Sequence, residues 1–221
     1  MPAKTATRKQ SALRSRAALA VDALRTLYPD AVCSLQYDTP FRLMVAVRLS
    51  AQCTDARVNL ITPALFERFP DENAMAEADI TEIEELIHSC GFYHGKAHDL
   101  KGAAQMLRDV YHGVLPDTME ELLKLPGVGR KSANLLLGDV YGKPAIVADT
   151  HCIRISNRLG FCDSKDPYRV ELALKDIIDP AEGSDFCHRL VLFGRDVCTA
   201  RSPKCEQCPL AQAGICPQKQ D

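Results

Sequence analysis

Apolar residues recur at three- and four-residue spacing along almost the whole 221-residue chain. Leu13, Ala17, Ala20, Leu24 and Leu27 share one face of a first helix, and Phe41, Met44, Val45 and Val47 follow Pro40, a residue suited to a first helical turn. The same period predicts helices over 55–69, 80–89, 96–111, 119–125, 132–141, 150–159, 167–178 and 184–196. Pro63 is expected to bend or divide the 55–69 segment, because proline supplies no N–H and its ring crowds the preceding turn. Gly142-Lys143-Pro144 and Asp179-Pro180 separate neighbouring segments. No stretch reads convincingly as a strand. The expected fold class is therefore all-α, with about ten short helices. After Asp196 the periodicity stops, and Cys, Pro, Lys, Gln and Gly take over.

A hydrophobic content of 46% is enough for a sizeable core. No run approaches the roughly 20 apolar residues of a membrane span. The opening Met1-Pro2-Ala3-Lys4 lacks the apolar stretch of a signal peptide, so an intracellular protein is expected. In that setting ten cysteines suggest metal binding more than a disulfide framework. The net charge of −2 argues against indiscriminate coating of nucleic acid but leaves room for a local basic face. Lys4, Arg8, Lys9, Arg14 and Arg16 all precede the first acidic residue, Asp22, a pattern that fits either a nucleic-acid contact or an ordinary solvated helix end.

The aperiodic tail contains Cys198, Cys205, Cys208 and Cys216 within one irregular loop. A 4Fe–4S cluster needs four thiolates, one for each corner iron, and irregular backbone lets them converge. Structural zinc usually takes two short Cys knuckles, and only Cys205-x2-Cys208 is one here, so the spacing favours iron–sulfur. A tail without apolar periodicity also needs a source of order other than a core. The six remaining cysteines show no such spacing and read as small core residues.

A second feature is Leu125-Pro126-Gly127-Val128-Gly129-Arg130-Lys131-Ser132-Ala133-Asn134, lying between two helical segments. Two glycines around Val128 allow a sharp helix-to-helix turn and close backbone approach to a surface. The free N–H groups opening the second helix, with the positive end of its dipole, suit a phosphate oxygen. Lys131 falls in that first turn, where the dipole and loss of water on DNA binding favour the neutral amine needed for nucleophilic attack. A phosphate contact is the other role open to it. Asp149, where the apolar run Ile146-Val147-Ala148 gives way to a new helix, suits an N-cap, and a capped carboxylate is also held rigidly enough for catalysis. His151 reads as a packed or capping residue. Arg130, Lys131, Arg154 and Arg158 fit either a DNA-facing surface or an ordinary solvated helix face.

These motifs, together with Leu49-Ser50-Ala51-Gln52 and the 91–97 run Gly-Phe-Tyr-His-Gly-Lys-Ala, resemble those of the helix-hairpin-helix DNA glycosylases, in the same order through nearly the whole chain. The resemblance implies a base excision repair enzyme that removes oxidised or ring-saturated pyrimidines from double-stranded DNA and then cleaves the abasic site. Lys131 would attack the sugar C1′ and form a Schiff base, with Asp149 assisting charge stabilisation and proton transfer. Gln52 matches the family's gap-filling glutamine, and Phe92 stands where a leucine wedge is common, although a core aromatic is an equal reading of Phe92. Gly127, Gly129 and Arg130 would contact DNA.

The family fold implies two helical lobes: residues 33–143 as a six-helix barrel with the hairpin, and residues 1–32 with 144–221 as a discontinuous cluster-bearing domain, with DNA in the cleft between them. A monomer is implied. One departure is the last cysteine spacer, which has seven residues where five are usual and puts Cys216 in question as a ligand. An adenine glycosylase and a non-enzymatic iron–sulfur DNA-binding protein are the competing readings. The first of these usually lacks the hairpin lysine, and the second has no use for it.

Overall fold

The computed structural model describes the backbone of residues 2–217 and the side chains of residues 10–217. Every α or 3-10 element in it is helical, and no strand occurs among the described residues. The chain divides into two compact units, residues 33–142 and residues 1–32 with 143–221.

The 33–142 unit is built around α2 (Pro40–Ser50), whose Leu43, Met44, Val45, Ala46, Val47 and Leu49 are all buried. A helix with so many buried apolar residues must be enclosed on several sides, and α3 (Asp55–Arg68), α6 (Tyr93–Asp109) and α8 (Arg130–Tyr141) pack on it. Thr39 starts α2 by accepting a hydrogen bond from the Arg42 N–H, with Pro40 at the first helical position. Thr54 and Asp71 cap α3 and α4 (Glu72–Glu77), and Asp79 caps α5 (Ile80–Ile87), each through its side chain. The one-turn α7 (Met119–Leu122) leads into the glycine hairpin.

Two expectations are corrected here and one is narrowed. Pro63 does not divide α3, and the helix runs through. Pro63 is exposed, so the Asn59 carbonyl that it deprives of a donor lies on the solvent side and can bond water. The Asn59 side chain meanwhile ties this face to the preceding loop, accepting from the Gln36 N–H at 2.9 Å and donating to the Ser34 carbonyl at 2.8 Å. The short α4 was not anticipated, and α6 begins at Tyr93 rather than at residue 96.

In the second unit, the long α1 (Pro2–Leu27) buries Ala17, Ala20, Val21 and Leu24 against α11 (Gly183–Asp196), which contributes Phe186, Leu190 and Phe193. Leu27, assigned by spacing to the apolar face, is exposed. α9 (Thr150–Arg158) packs on α11 and on α10 (Pro167–Lys175). Arg16 donates to the Leu159 and Gly160 carbonyls at 2.9 and 3.1 Å, and Arg14 donates to the Asp176 carbonyl at 2.9 Å. These two arginines neutralise helix C-termini, which accounts for them without a nucleic acid. The side chains of Lys4, Arg8 and Lys9 lie outside the described residues. The tail is less irregular than its sequence suggests: a 3-10 turn spans Cys205–Gln207 and α12 spans Pro209–Gln212.

Candidate functional site

The hairpin is seated on an ion pair. Arg48 of α2 reaches Asp99 of α6 through both Nε and Nη2, each 2.6 Å from Oδ2. Gly127 lies directly over this pair in the left-handed region, φ +74°, and a Cβ there would come within 2.5 Å of Arg48 Cδ and 2.9 Å of Asp99 Cβ. Both backbone and space therefore demand glycine at 127. Val128 and Leu125 are buried beside it and anchor the turn, with the Val128 N–H donating to the Leu125 carbonyl at 3.1 Å.

Gly129 is different. Its φ of −94° suits any residue, and a Cβ would meet nothing within 4 Å. The protein itself gives no reason for glycine at 129; an external surface approaching the backbone would. Gly129 is the N-cap of α8 and offers no side-chain cap, so the first-turn N–H groups of this helix lack the bond that Thr, Asp or another polar cap supplies elsewhere in the fold. Lys131 sits in that turn with its side chain exposed. Gly127→Ala is expected to cost about 2–4 kcal/mol of stability through clash and positive φ. Gly129→Ala should leave the melting temperature nearly unchanged, and equal stability losses in the two variants would show that the face of Gly129 is not open.

Three exposed non-glycine residues, Gln52, Phe92 and His112, carry backbone strain. Gln52 and Phe92 adopt φ values of +54° and +59°, in a region that non-glycine residues rarely enter. Such a conformation costs on the order of 1–3 kcal/mol and is relieved by glycine. Phe92 is 74% exposed, so the core-aromatic reading of this residue is corrected. The turn at Gly91 carries it outward as the N-cap residue of α6. Beneath the Gln52 and Phe92 loops lies Lys96, only 1% exposed, whose Nζ donates to the Leu49 carbonyl at 2.9 Å. Burial lowers the Lys96 pKa below the ordinary lysine value. This lysine joins the 49–52 and 91–97 motifs, a link that periodicity gave no means of finding.

In the other unit, Asp149 caps α9: its Oδ1 accepts from the Cys152 N–H at 2.7 Å. His151 is packed, with Nδ1 3.1 Å from Arg154 Nη2, and Gly194 makes room for both, since a Cβ there would lie 2.3 Å from that ring nitrogen. Lys131 and Asp149 thus each lie at the start of a helix, one in each unit.

Cys198, Cys205, Cys208 and Cys216 all line one cavity, walled by Ile155, Leu159, Phe193, Val197 and Leu210. The extra length of the last spacer is folded as α12 and a turn at Gly214, φ +68°, with Leu210 and Ile215 buried and the Cys216 N–H donating to the Leu210 carbonyl at 3.0 Å. Arg158 donates to Cys198 Sγ at 3.2 Å and to the Thr199 and Ala200 carbonyls at 2.7 and 3.0 Å, while Arg154 Nη2 donates to the Cys198 carbonyl at 3.0 Å. Arg154 and Arg158 are both turned onto the cysteine loop, which accounts for them without a nucleic acid. Among the described residues no three His, Cys, Asp or Glu side chains are grouped as ligands of a single ion. A cluster makes no such demand, because its irons present separate corners to the four thiolates. Four sulfurs around an apolar-walled cavity, one of them accepting a guanidinium N–H, fit an iron–sulfur group.

Residues 45–180 match the HhH-GPD superfamily of base excision DNA repair proteins, and residues 198–212 match the iron–sulfur binding domain of endonuclease III. The second match includes Cys198, Cys205 and Cys208 and stops short of Cys216. Endonuclease III of Synechocystis sp. is 47% identical, over 96% of this chain and 97% of the relative. That of Bacillus subtilis is 41% identical, over 91% of this chain and 92% of the relative. A trapped endonuclease III–DNA covalent intermediate superposes with a TM-score of 0.86 at 42% identity, covering 92% of this chain and 95% of that one, as does a non-covalent endonuclease III–DNA complex. The cofactor is accordingly a 4Fe–4S cluster. The chain belongs to the endonuclease III family of helix-hairpin-helix base excision repair enzymes, DNA N-glycosylases that also cleave abasic sites.

Proposed function

We propose that this enzyme acts as a monomer on double-stranded DNA, removing oxidised or ring-saturated pyrimidines and then breaking the strand by β-elimination, with Lys131 as nucleophile. The observation that carries this reading is an exposed lysine in the uncapped first turn of α8, beside a glycine that the protein's own packing does not require. The uncapped N–H groups and Gly129 would hold a phosphate, with Gly127 shaping the turn and Arg130 adding charge. Lys131 Nζ would then form a bond to C1′ as the bond to the damaged base breaks, and loss of a proton with ring opening would give an imine. Removal of a C2′ proton and departure of the 3′ phosphate would complete the nick. Asp149 is the carboxylate assigned to stabilise the developing positive charge and to assist proton transfer.

Gln52 and Phe92 would occupy the space a flipped-out nucleotide leaves in the duplex, their exposure and left-handed backbone supporting that role. The units 33–142 and 1–32 with 143–221 correspond in this reading to the barrel and the cluster-bearing domain. Cys198, Cys205, Cys208 and Cys216 would ligate the cluster, whose iron–sulfur bonds supply order to a tail with few buried apolar residues. The lesion class is tested by a duplex panel carrying thymine glycol, dihydrouracil, 8-oxoguanine or adenine opposite 8-oxoguanine. Strand cleavage is expected at the first two, and preferential action on either purine substrate would overturn the pyrimidine assignment.

A further inference from the structure

Cys53 and Cys90 lie in different loops of the 33–142 unit, yet their Sγ atoms are 3.6 Å apart. Cys53 immediately follows Gln52 and Cys90 precedes Gly91-Phe92, so the thiol contact bridges the two loops that hold these two strained, exposed side chains. We propose that this thiol pair is a redox-modification site, at which a hydroperoxide forms a Cys53–Cys90 disulfide that resets the Gln52 and Phe92 loops and weakens engagement of damaged DNA. The DNA consequence rests on the role given above to those two residues; the modification itself does not.

The pair is asymmetric in the way sequential thiol oxidation requires. Cys53 is partly exposed and Cys90 is fully buried. Peroxide therefore reaches Cys53: its sulfur bonds one peroxide oxygen, the O–O bond breaks, and a sulfenic acid and water result. Cys90 sulfur then attacks Cys53 sulfur, the S–O bond breaks, and the hydroxyl leaves with the Cys90 proton as a second water. Two thiols have together given two electrons to one hydrogen peroxide. Burial pushes the Cys90 thiol up to about 11, so this sulfur brings its proton to the second step, where it leaves with the hydroxyl.

A disulfide bond is about 2.05 Å long, so closing the observed gap draws the sulfurs together by roughly 1.5 Å. The residues next to each sulfur are the exposed Gln52 and, one glycine further on, Phe92. Displacements of about 1 Å in a recognition or catalytic constellation can cost as much as ~100-fold in rate. The second unit contains a contrasting pair: Cys152 is hydrogen-bonded to Cys187, but both are buried, at 0% and 3% exposure. That pair offers an oxidant no entry and serves as an internal control.

The experiment treats the iron–sulfur-loaded enzyme with hydrogen peroxide, blocks remaining thiols with N-ethylmaleimide, and maps peptides without reduction while visible absorbance monitors the cluster. Binding to a duplex carrying a stable abasic-site analogue is measured before and after dithiothreitol. A peptide pair linking Cys53 to Cys90 is expected, with Cys152 and Cys187 still alkylatable after denaturation. Affinity should fall at least about tenfold and recover with dithiothreitol, while Cys53→Ser and Cys90→Ala should be insensitive to peroxide. Absence of the linked pair with the cluster intact would overturn the proposal, as would its formation with unchanged affinity, or equal peroxide sensitivity in Cys53→Ser. Failure of the reduced enzyme to cleave any lesion duplex would instead overturn the functional reading, whatever the thiols do.

Discussion

Lys131→Ala is expected to slow strand cleavage at an abasic site by at least about 10³-fold, the scale on which loss of a nucleophile acts when no other group replaces it. The substitution removes an exposed side chain in the first turn of α8, so stability should change by no more than about 0.5 kcal/mol. Two readings of this lysine separate cleanly. A residue that only contacts phosphate would lose affinity and salt dependence together, and cleavage would recover at saturating enzyme and low salt. A nucleophile loses the chemical step and keeps its affinity. Single-turnover cleavage with enzyme in excess is therefore the decisive format, and recovery of the wild-type rate constant there would identify a phosphate contact.

Cys208→Ser is expected to have the second largest effect, acting on the fold rather than the chemistry. Cys208 is the most buried of the four clustered cysteines, and its N–H and carbonyl lie between the 3-10 turn and α12. A serine there offers a poor iron ligand within an apolar-walled cavity. Because Leu210 and Ile215 are the main buried residues between the last two cysteines, the loop has little else to order it. Loss of the visible iron–sulfur absorbance, of labile sulfide, and of several degrees in melting temperature should follow together. A variant with full iron and sulfide content would remove Cys208 from the ligand set. Cys187→Ser is a suitable comparison, since Cys187 is equally buried but belongs to the α11 core.

The parts of the fold and site that could be read from sequence are those governed by local rules. Helix periods, the prolines at helix starts, Gly142 closing α8 and the Asp149 cap all depend on residues within one turn of one another. The hairpin belongs with them, because the demand for glycine at 127 arises from its own positive φ, although the Arg48–Asp99 pair that shapes its seat is contributed by two distant helices. Pro63 shows the limit of such rules: exposure of the proline lets α3 continue undivided.

What escaped the sequence depends on where side chains point after the helices pack. Arg154 and Arg158 are basic residues on a helix beside the candidate Asp149, and only tertiary structure shows them bonded to the cysteine loop. Phe92 has the same identity whether buried or exposed, and only the folded chain shows it 74% exposed. Lys96 and the Cys53–Cys90 contact join residues 47 and 37 positions from their partners, with no repeat or spacing to announce either pairing.

The role of Lys131 is tested most directly by locating the covalent bond itself. The enzyme is incubated with a thymine glycol duplex in borohydride, and the reduced adduct is digested and sequenced by mass spectrometry. A single modified peptide with the deoxyribose remnant on Nζ of Lys131 is expected, and no adduct from Lys131→Ala. An adduct on another residue, or undiminished trapping by the alanine variant, would contradict that role.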